Sequence, residues 1–193
     1  MILKTKSDLL IKESSLPGVL VIESDTVTDR RGNFTYVYDY DAYARRGLTR
    51  VFVQDIFIHS HKNVLFGLCY QRYNQQAKLI ITVDGNIFDV AVDIRLGSPN
   101  FGKWQGMYLS SLINRQVFIP EGFAHGYCVL SETAEVIIKC TECYDDSLEC
   151  GINWADSVIN IEWPVKEPIL SNKDACKPSL YKIPSSLLPV FIQ

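Results

Sequence analysis

The sequence predicts an all-β protein, a jelly-roll barrel with few short helices. Three observations carry this reading. Short runs of β-branched and aromatic residues recur along the 193-residue chain. Turn signals separate them roughly every 8 to 12 residues, and a single segment has helical character. No repeat, low-complexity segment or linker interrupts the pattern, so residues 1–193 are expected to form one domain, with an extended tail from about residue 150.

In order, the turn Leu16-Pro-Gly feeds a first strand that ends near Ser24. Asp29-Arg-Arg-Gly is a charged turn before a strand over 33–40. Residues 39–47 read as the helix, with Asp39 as cap, Ala42 and Ala44 inside, basic residues in the last turn and Gly47 closing it. Strands follow over 50–60, 63–71, 78–83 and 86–95, the last two joined across Asp84-Gly85 as a tight hairpin. A strand over 104–111 and the stretch Gln116 to Tyr144 bring the count to at least eight. Beyond Tyr144 the pattern loosens, and Lys182 to Gln193 is suited to packing on a second subunit.

With 47% hydrophobic and 21% charged residues the chain can bury a sizeable core. A net charge of -3 argues against a general nucleic-acid or membrane-surface binder, which needs a concentrated basic field. The start, Met1 to Asp8, lacks the apolar core of a secretory signal, and no run approaches the roughly 20 residues of a membrane span. A cytoplasmic protein with six reduced cysteines is expected. Cys140-Thr-Glu-Cys143 has no second pair at zinc-ribbon spacing, and His59-Ser-His61 lacks the further ligands of a metal cupin, so no metal site is expected.

The stretch around His125 is the most informative. Val117 to Ile119 is a buried strand, Pro120 and Gly122 punctuate it, and apolar character resumes from Tyr127 to Leu130, which puts His125 on a constrained turn, either at the mouth of a barrel or as a surface histidine at a strand end. On strand alternation Gly67, Cys69 and Gln71 share one face, and Ile138, Cys140 and Tyr144 share a face of their own strand. If those faces line the barrel, Cys69 and Tyr144 approach one pocket.

Ordered motifs from Gly18 to Asp174, among them Asp29-Arg-Arg-Gly, Phe52-Val-Gln-Asp, Phe66-Gly-Leu-Cys-Tyr-Gln, Ile119-Pro-Glu-Gly-Phe-Ala-His-Gly and Leu170-Ser-Asn-Lys-Asp, resemble the dTDP-4-dehydrorhamnose 3,5-epimerase family. The resemblance implies a cupin-type jelly roll without cofactor, a homodimer whose N-terminal strands complete the partner's sheet, and a nucleotide-diphosphate sugar as substrate. It also implies an enolate mechanism beside a 4-keto group, in which a histidine–aspartate pair is the base, a lysine stabilises the enolate and a tyrosine is the acid.

Carried over position by position, Lys78 stands at the enolate lysine, Asp174 at the base's partner, His125 at the corner histidine and Tyr144 at a second tyrosine near the pocket. Arg31, Gln54, Asp55, Glu149 and Lys173 stand at nucleotide-binding positions. Cys69 replaces the base histidine, Ile138 the acid tyrosine and Phe66 a binding arginine. Cysteine can act as a carbon-acid base where its thiolate is favoured, with Lys78 the cation expected to lower its pKa; the alternative for Cys69 is a buried, inert thiol. The function read from this is an epimerase acting at C5 and/or C3 of a nucleotide-linked 4-keto-6-deoxyhexose or 3,6-dideoxyhexulose. The alternative is an inactive homologue that binds a sugar nucleotide or a partner enzyme.

Overall fold

The computed structural model describes residues 9–192; the stretch Met1 to Asp8, on which the reading of the N-terminus rests, and Gln193 lie outside the described residues. Among the described residues there are thirteen strands: β1 (Leu9–Glu13), β2 (Leu20–Ser24), β3 (Thr26–Asp29), β4 (Gly32–Thr35), β5 (Gln54–His61), β6 (Leu65–Gln71), β7 (Lys78–Asp84), β8 (Asn86–Asp93), β9 (Trp104–Ser110), β10 (Arg115–Ile119), β11 (Phe123–Val129), β12 (Thr133–Cys140) and β13 (Glu149–Gly151). Two short helices, α1 (Tyr40–Arg45) and α2 (Asn172–Ala175), accompany them. One sheet runs β1-β2-β10-β7-β12-β5 and the other β13-β6-β11-β8-β9, with β3-β4 a separate pair. All ladders within these sheets are antiparallel, and the whole is a cupin-like jelly roll.

Alternation along β12 shows why the sheets face each other. Ala134, Val136, Ile138 and Cys140 are buried while Thr133, Glu135, Ile137 and Lys139 are only half-buried. The inward set packs with Ile80, Val117, Ile119, Ala91, Tyr127 and Val129 into the core between the sheets. The five-stranded sheet is covered on its other face as well, since Leu68, Val90, Val92 and Cys128 pack under Ile152, Ile159, Leu180 and Leu188 from the segment after β13. Burial on both faces accounts for the unbroken apolar runs of β8 and β11. On the six-stranded sheet, Ala42 and Tyr43 of α1 pack with Ile22, Leu79 and Phe118. Asp39 caps α1 by accepting from the Ala42 N–H, as its position in the sequence predicts.

Several expectations are corrected. The tight hairpin at Asp84-Gly85 is not a hairpin: β7 pairs with β10 and β12, β8 with β9 and β11, and Gly85 is where the chain passes from one sheet to the other. Its φ of +77°, with the Thr133 carbonyl and Ser131 hydroxyl in the place of a Cβ, requires glycine. The strand expected over 33–40 stops at Thr35, and that expected over 50–60 begins at Gln54. His125 lies within β11, not on a turn, because Pro120 to Gly122 complete the corner and the ladder with β8 resumes at Phe123. β1 pairs with β2 of its own chain and forms the edge of the larger sheet.

Candidate active site

Between the two sheets lies a cavity of about 310 Å³, walled by side chains of β5, β6, β7, β11 and β12. Its geometry begins with a bulge. Cys69 faces His125 across the β6–β11 ladder but Phe66 faces Tyr127, so β6 spends three residues where β11 spends two. The extra residue resets the alternation, and Phe66 joins Cys69 in lining the cavity. Gly67 makes this possible. Its φ is +101°, and a Cβ there would stand 2.5 Å from the His125 carbonyl oxygen and 2.7 Å from Gly126 Cα.

Cys69, Lys78, His125, Tyr144 and Glu149 all line this cavity, with Ile56, Ile58, Phe66, Tyr127 and Ile138 supplying apolar wall. Tyr144 reaches it from the loop after β12, since that strand ends at Cys140 instead of running on as expected. His125 is buried, and its Nε2 lies 2.7 Å from Asp89 Oδ2. An ionised carboxylate only accepts, so this ring nitrogen carries the proton.

Behind Cys69 stands a residue that the sequence reading missed. Lys177 Nζ donates to Cys69 Sγ at 2.7 Å and to Asp174 Oδ1, while Cys69 Sγ is 3.9 Å from the same Asp174 oxygen. Asp174 and Lys177 stand three residues apart across the end of α2, so Asp174, once singled out, pointed to this lysine. The expectation that Lys78 would favour the thiolate is corrected on two counts. Lys177 is the dominant cation at the sulfur, and burial outweighs both lysines, so the Cys69 thiol is pushed above its ordinary value. For Lys177, burial acts to lower the pKa, but the sulfur and the Asp174 carboxylate outweigh it and hold the ammonium form.

At the mouth, Tyr144 donates to Glu149 Oε2 at 2.7 Å and lies 3.0 Å from Asp146 Oδ1. Its phenol is pushed up, by desolvation first and then by hydrogen bonds to these two carboxylates. Lys173 is paired with Asp146 at 2.6 Å and Glu149 at 3.2 Å, and the bond to Asp146 is the main reason its pKa is raised.

The remaining candidates are dispersed. Gln54 Oε1 accepts from the Tyr144 backbone N–H at 2.8 Å, so it shapes the mouth. Asp55 points to the opposite face of β5 and is bound by Lys139 at 2.7 Å. Arg31 sits at the β3–β4 turn, exposed and paired with Asp29, and is not among the residues lining the cavity. His59 and His61 share the exposed face of β5, away from the barrel interior. No group of three potential metal ligands occurs among the described residues.

A jelly roll whose interior holds a cation, a thiol, a carboxylate-bound imidazole and a phenol defines a small-molecule site equipped for proton transfer. The chain belongs to the dTDP-4-dehydrorhamnose 3,5-epimerase family, whose model matches residues 13–182. It is 48% identical over 164 residues to dTDP-4-dehydrorhamnose 3,5-epimerase of Shigella flexneri, covering 84% of this chain and 91% of that one. The crystal structure of dTDP-6-deoxy-D-glucose-3,5-epimerase RmlC from Legionella pneumophila in complex with dTDP-4-keto-L-rhamnose superposes with a TM-score of 0.93 at 42% identity, over 96% and 100% of the two chains. ChmJ, a 3'-monoepimerase from Streptomyces bikiniensis solved with dTDP-quinovose, superposes with a TM-score of 0.86 at 28% identity, over 92% of each chain.

Proposed function

We propose that this protein is an epimerase of a nucleotide-linked 4-keto-6-deoxyhexose or 3,6-dideoxyhexulose, acting at C5 and/or C3 through an enolate in deoxysugar or polysaccharide biosynthesis. The observation that carries this is the placement of Lys78, Cys69 and Tyr144 in one cavity of a chain of this family. A C4 ketone acidifies the hydrogens on its neighbouring carbons. Lys78 stabilises the enolate oxygen as charge develops there. Cys69, as the thiolate partnered by the Lys177 ammonium, takes the proton from carbon and becomes the thiol. The Tyr144 phenol returns a proton from the other side, and its raised pKa keeps it loaded at neutral pH. His125, fixed by Asp89, donates or accepts through its remaining nitrogen toward the sugar.

The apolar wall of Ile56, Phe66 and Ile138 suits a sparsely hydroxylated sugar, such as a 3,6-dideoxy-4-ketohexose inverted at C5 alone. The nucleotide diphosphate is assigned to the mouth, near Gln54, Glu149 and Lys173. Arg31 is assigned to the mouth of a second subunit, in a homodimer formed through the N-terminal strands. Exposed Phe34, Tyr36, Val37 and Tyr40 beside the β3–β4 arm support such a contact. A monomer in sedimentation at micromolar concentration would contradict it.

We take residues 1–193 as one sugar-epimerase unit and place it in the cytoplasm, in keeping with its six free thiols. The epimerase names of its relatives favour catalysis over the binding-only alternative. A panel of dTDP-linked 4-ketosugars incubated with the protein in deuterium oxide tests the reading. Deuterium entering C5 or C3 is expected. Tight nucleotide binding with no exchange into any of the panel would overturn it.

A further inference from the structure

We propose that Cys69 and Lys177 form a covalent N–O–S link when the protein meets hydrogen peroxide, making the inner wall of the cavity a reversible oxidation site. Their 2.7 Å separation lies at the short limit of N–H···O bonds, about 2.7–3.2 Å, and sulfur, being larger than oxygen, ordinarily holds a donor farther away. The gap matches one oxygen joined by single bonds to nitrogen and sulfur. Lys177 is also held in place. Its Cδ and Cε lie where a Cβ on Gly151 would go, and its Nζ is bound to Asp174.

The surroundings favour this link over other fates of a thiol. Cys69 lines the open cavity, so a small oxidant reaches the sulfur from the substrate side. Cys150, on the neighbouring strand, packs instead against the core beyond the five-stranded sheet. Cys140, the other thiol of the cavity wall, belongs to the facing sheet, so the group in direct contact with Cys69 is the Lys177 amine. Asp174 and, at 3.8 Å, Glu149 flank that amine and can take its proton.

The chemistry balances with two peroxides. One oxidises the thiol to the sulfenic acid with loss of water. Lys177 rests as the ammonium, so the second peroxide acts once that group has passed a proton to Asp174 or Glu149, and it oxidises the freed amine to the hydroxylamine, again with loss of water. The hydroxylamine oxygen then attacks the sulfenyl sulfur, the S–O–N linkage forms, and the sulfenic hydroxyl leaves as a third water. Sulfur and nitrogen each lose two electrons. Two equivalents of a dithiol return the thiol, the amine and one water. Because the link ties up Cys69, it shields the sulfur from the irreversible sulfinic state. Its formation does not depend on the epimerase reading.

The test treats the full-length protein with hydrogen peroxide and maps the products by peptide mass spectrometry. A cross-link joining the Cys69 and Lys177 peptides is expected, with a mass gain of about 14 Da, the sum of one oxygen gained and two hydrogens lost, as against about 16 or 32 Da for sulfenic or sulfinic acid. Dithiothreitol should reverse it, and Lys177→Met should divert Cys69 to those acids. The proposal is overturned if wild-type Cys69 passes to the acids without the cross-link, or forms a disulfide with Cys140 or Cys176. It is equally overturned if Cys69 stays reduced while the exposed Cys143 and Cys176 are oxidised.

Discussion

His125 and Asp89 meet inside the barrel, Nε2 2.7 Å from Oδ2, with the histidine 5% and the aspartate 0% exposed. They come from neighbouring strands, β11 and β8, and the pair fixes which nitrogen of the imidazole is left for the cavity. Asp89→Ala leaves the buried imidazole N–H without its acceptor, which typically costs about 1–3 kcal/mol. For a chain of this size that is a fall in Tm on the order of 5 °C. Differential scanning calorimetry measures it, and Asp89→Asn, which keeps one acceptor, should fall less.

Gly67→Ala is expected to destabilise the protein by more than about 1 kcal/mol, since the backbone at φ +101° disfavours a side chain and the new methyl meets the His125 carbonyl. The urea midpoint reports the loss. Because the displaced residues flank Cys69 and His125, residual activity should fall by more than the loss of folded protein accounts for.

Burial alone would raise the pKa of Asp93, yet hydrogen bonds from the Arg95 side chain and backbone and from Ser98 outweigh it and hold the carboxyl below its ordinary 3.8. A carboxyl depressed in the folded state stabilises the protein above the unfolded pKa, and the contribution is lost as pH falls through the folded value. Stability should therefore drop below about pH 4, where the unfolded carboxyl begins to take up protons. Asp93→Asn should flatten this part of the Tm–pH curve while lowering Tm at pH 7.

The Cys69 thiol, raised by burial, makes the thiolate a minority at neutral pH. The rate at limiting substrate should consequently climb with pH through and beyond the ordinary thiol value of about 8.5. The raised pKa of Tyr144 postpones loss of the acid to still higher pH. Lys177→Met removes the nearby cation, so it should move the rise further to alkaline pH and slow alkylation of Cys69 at pH 8.

Strand identity was largely legible because alternation and turn residues are local. Leu20 to Ser24, 104–110 and the helix cap at Asp39 stand where their residues predict. Pairing was not. Asp84-Gly85 reads the same whether two strands fold back on each other or part into opposite sheets, and only the packing of Thr133 and Ser131 over Gly85 decides it. Local punctuation likewise hid the single-residue bulge that turns Phe66 inward beside Cys69. Within the cavity, Lys78, Cys69, His125, Tyr144 and Glu149 were legible through family resemblance, whereas Asp89 was not, since a partner contributed by another strand leaves no spacing signal of its own, and Lys177 was missed although its three-residue spacing from Asp174 carried one.

Cys69→Ala provides the most direct measurement. The substitution removes the proton acceptor and little volume, leaving the mouth residues Tyr144, Glu149 and Lys173 in place. Each member of an acid–base pair is worth about 10² to 10⁴ in rate. Deuterium incorporation beside the ketone of a dTDP-linked 4-ketosugar turned over by the wild type should therefore fall at least about 10²-fold in the variant, with dTDP affinity unchanged. Exchange at the wild-type rate in Cys69→Ala would contradict the assignment of Cys69 as the base and leave it a packing residue in the cavity wall.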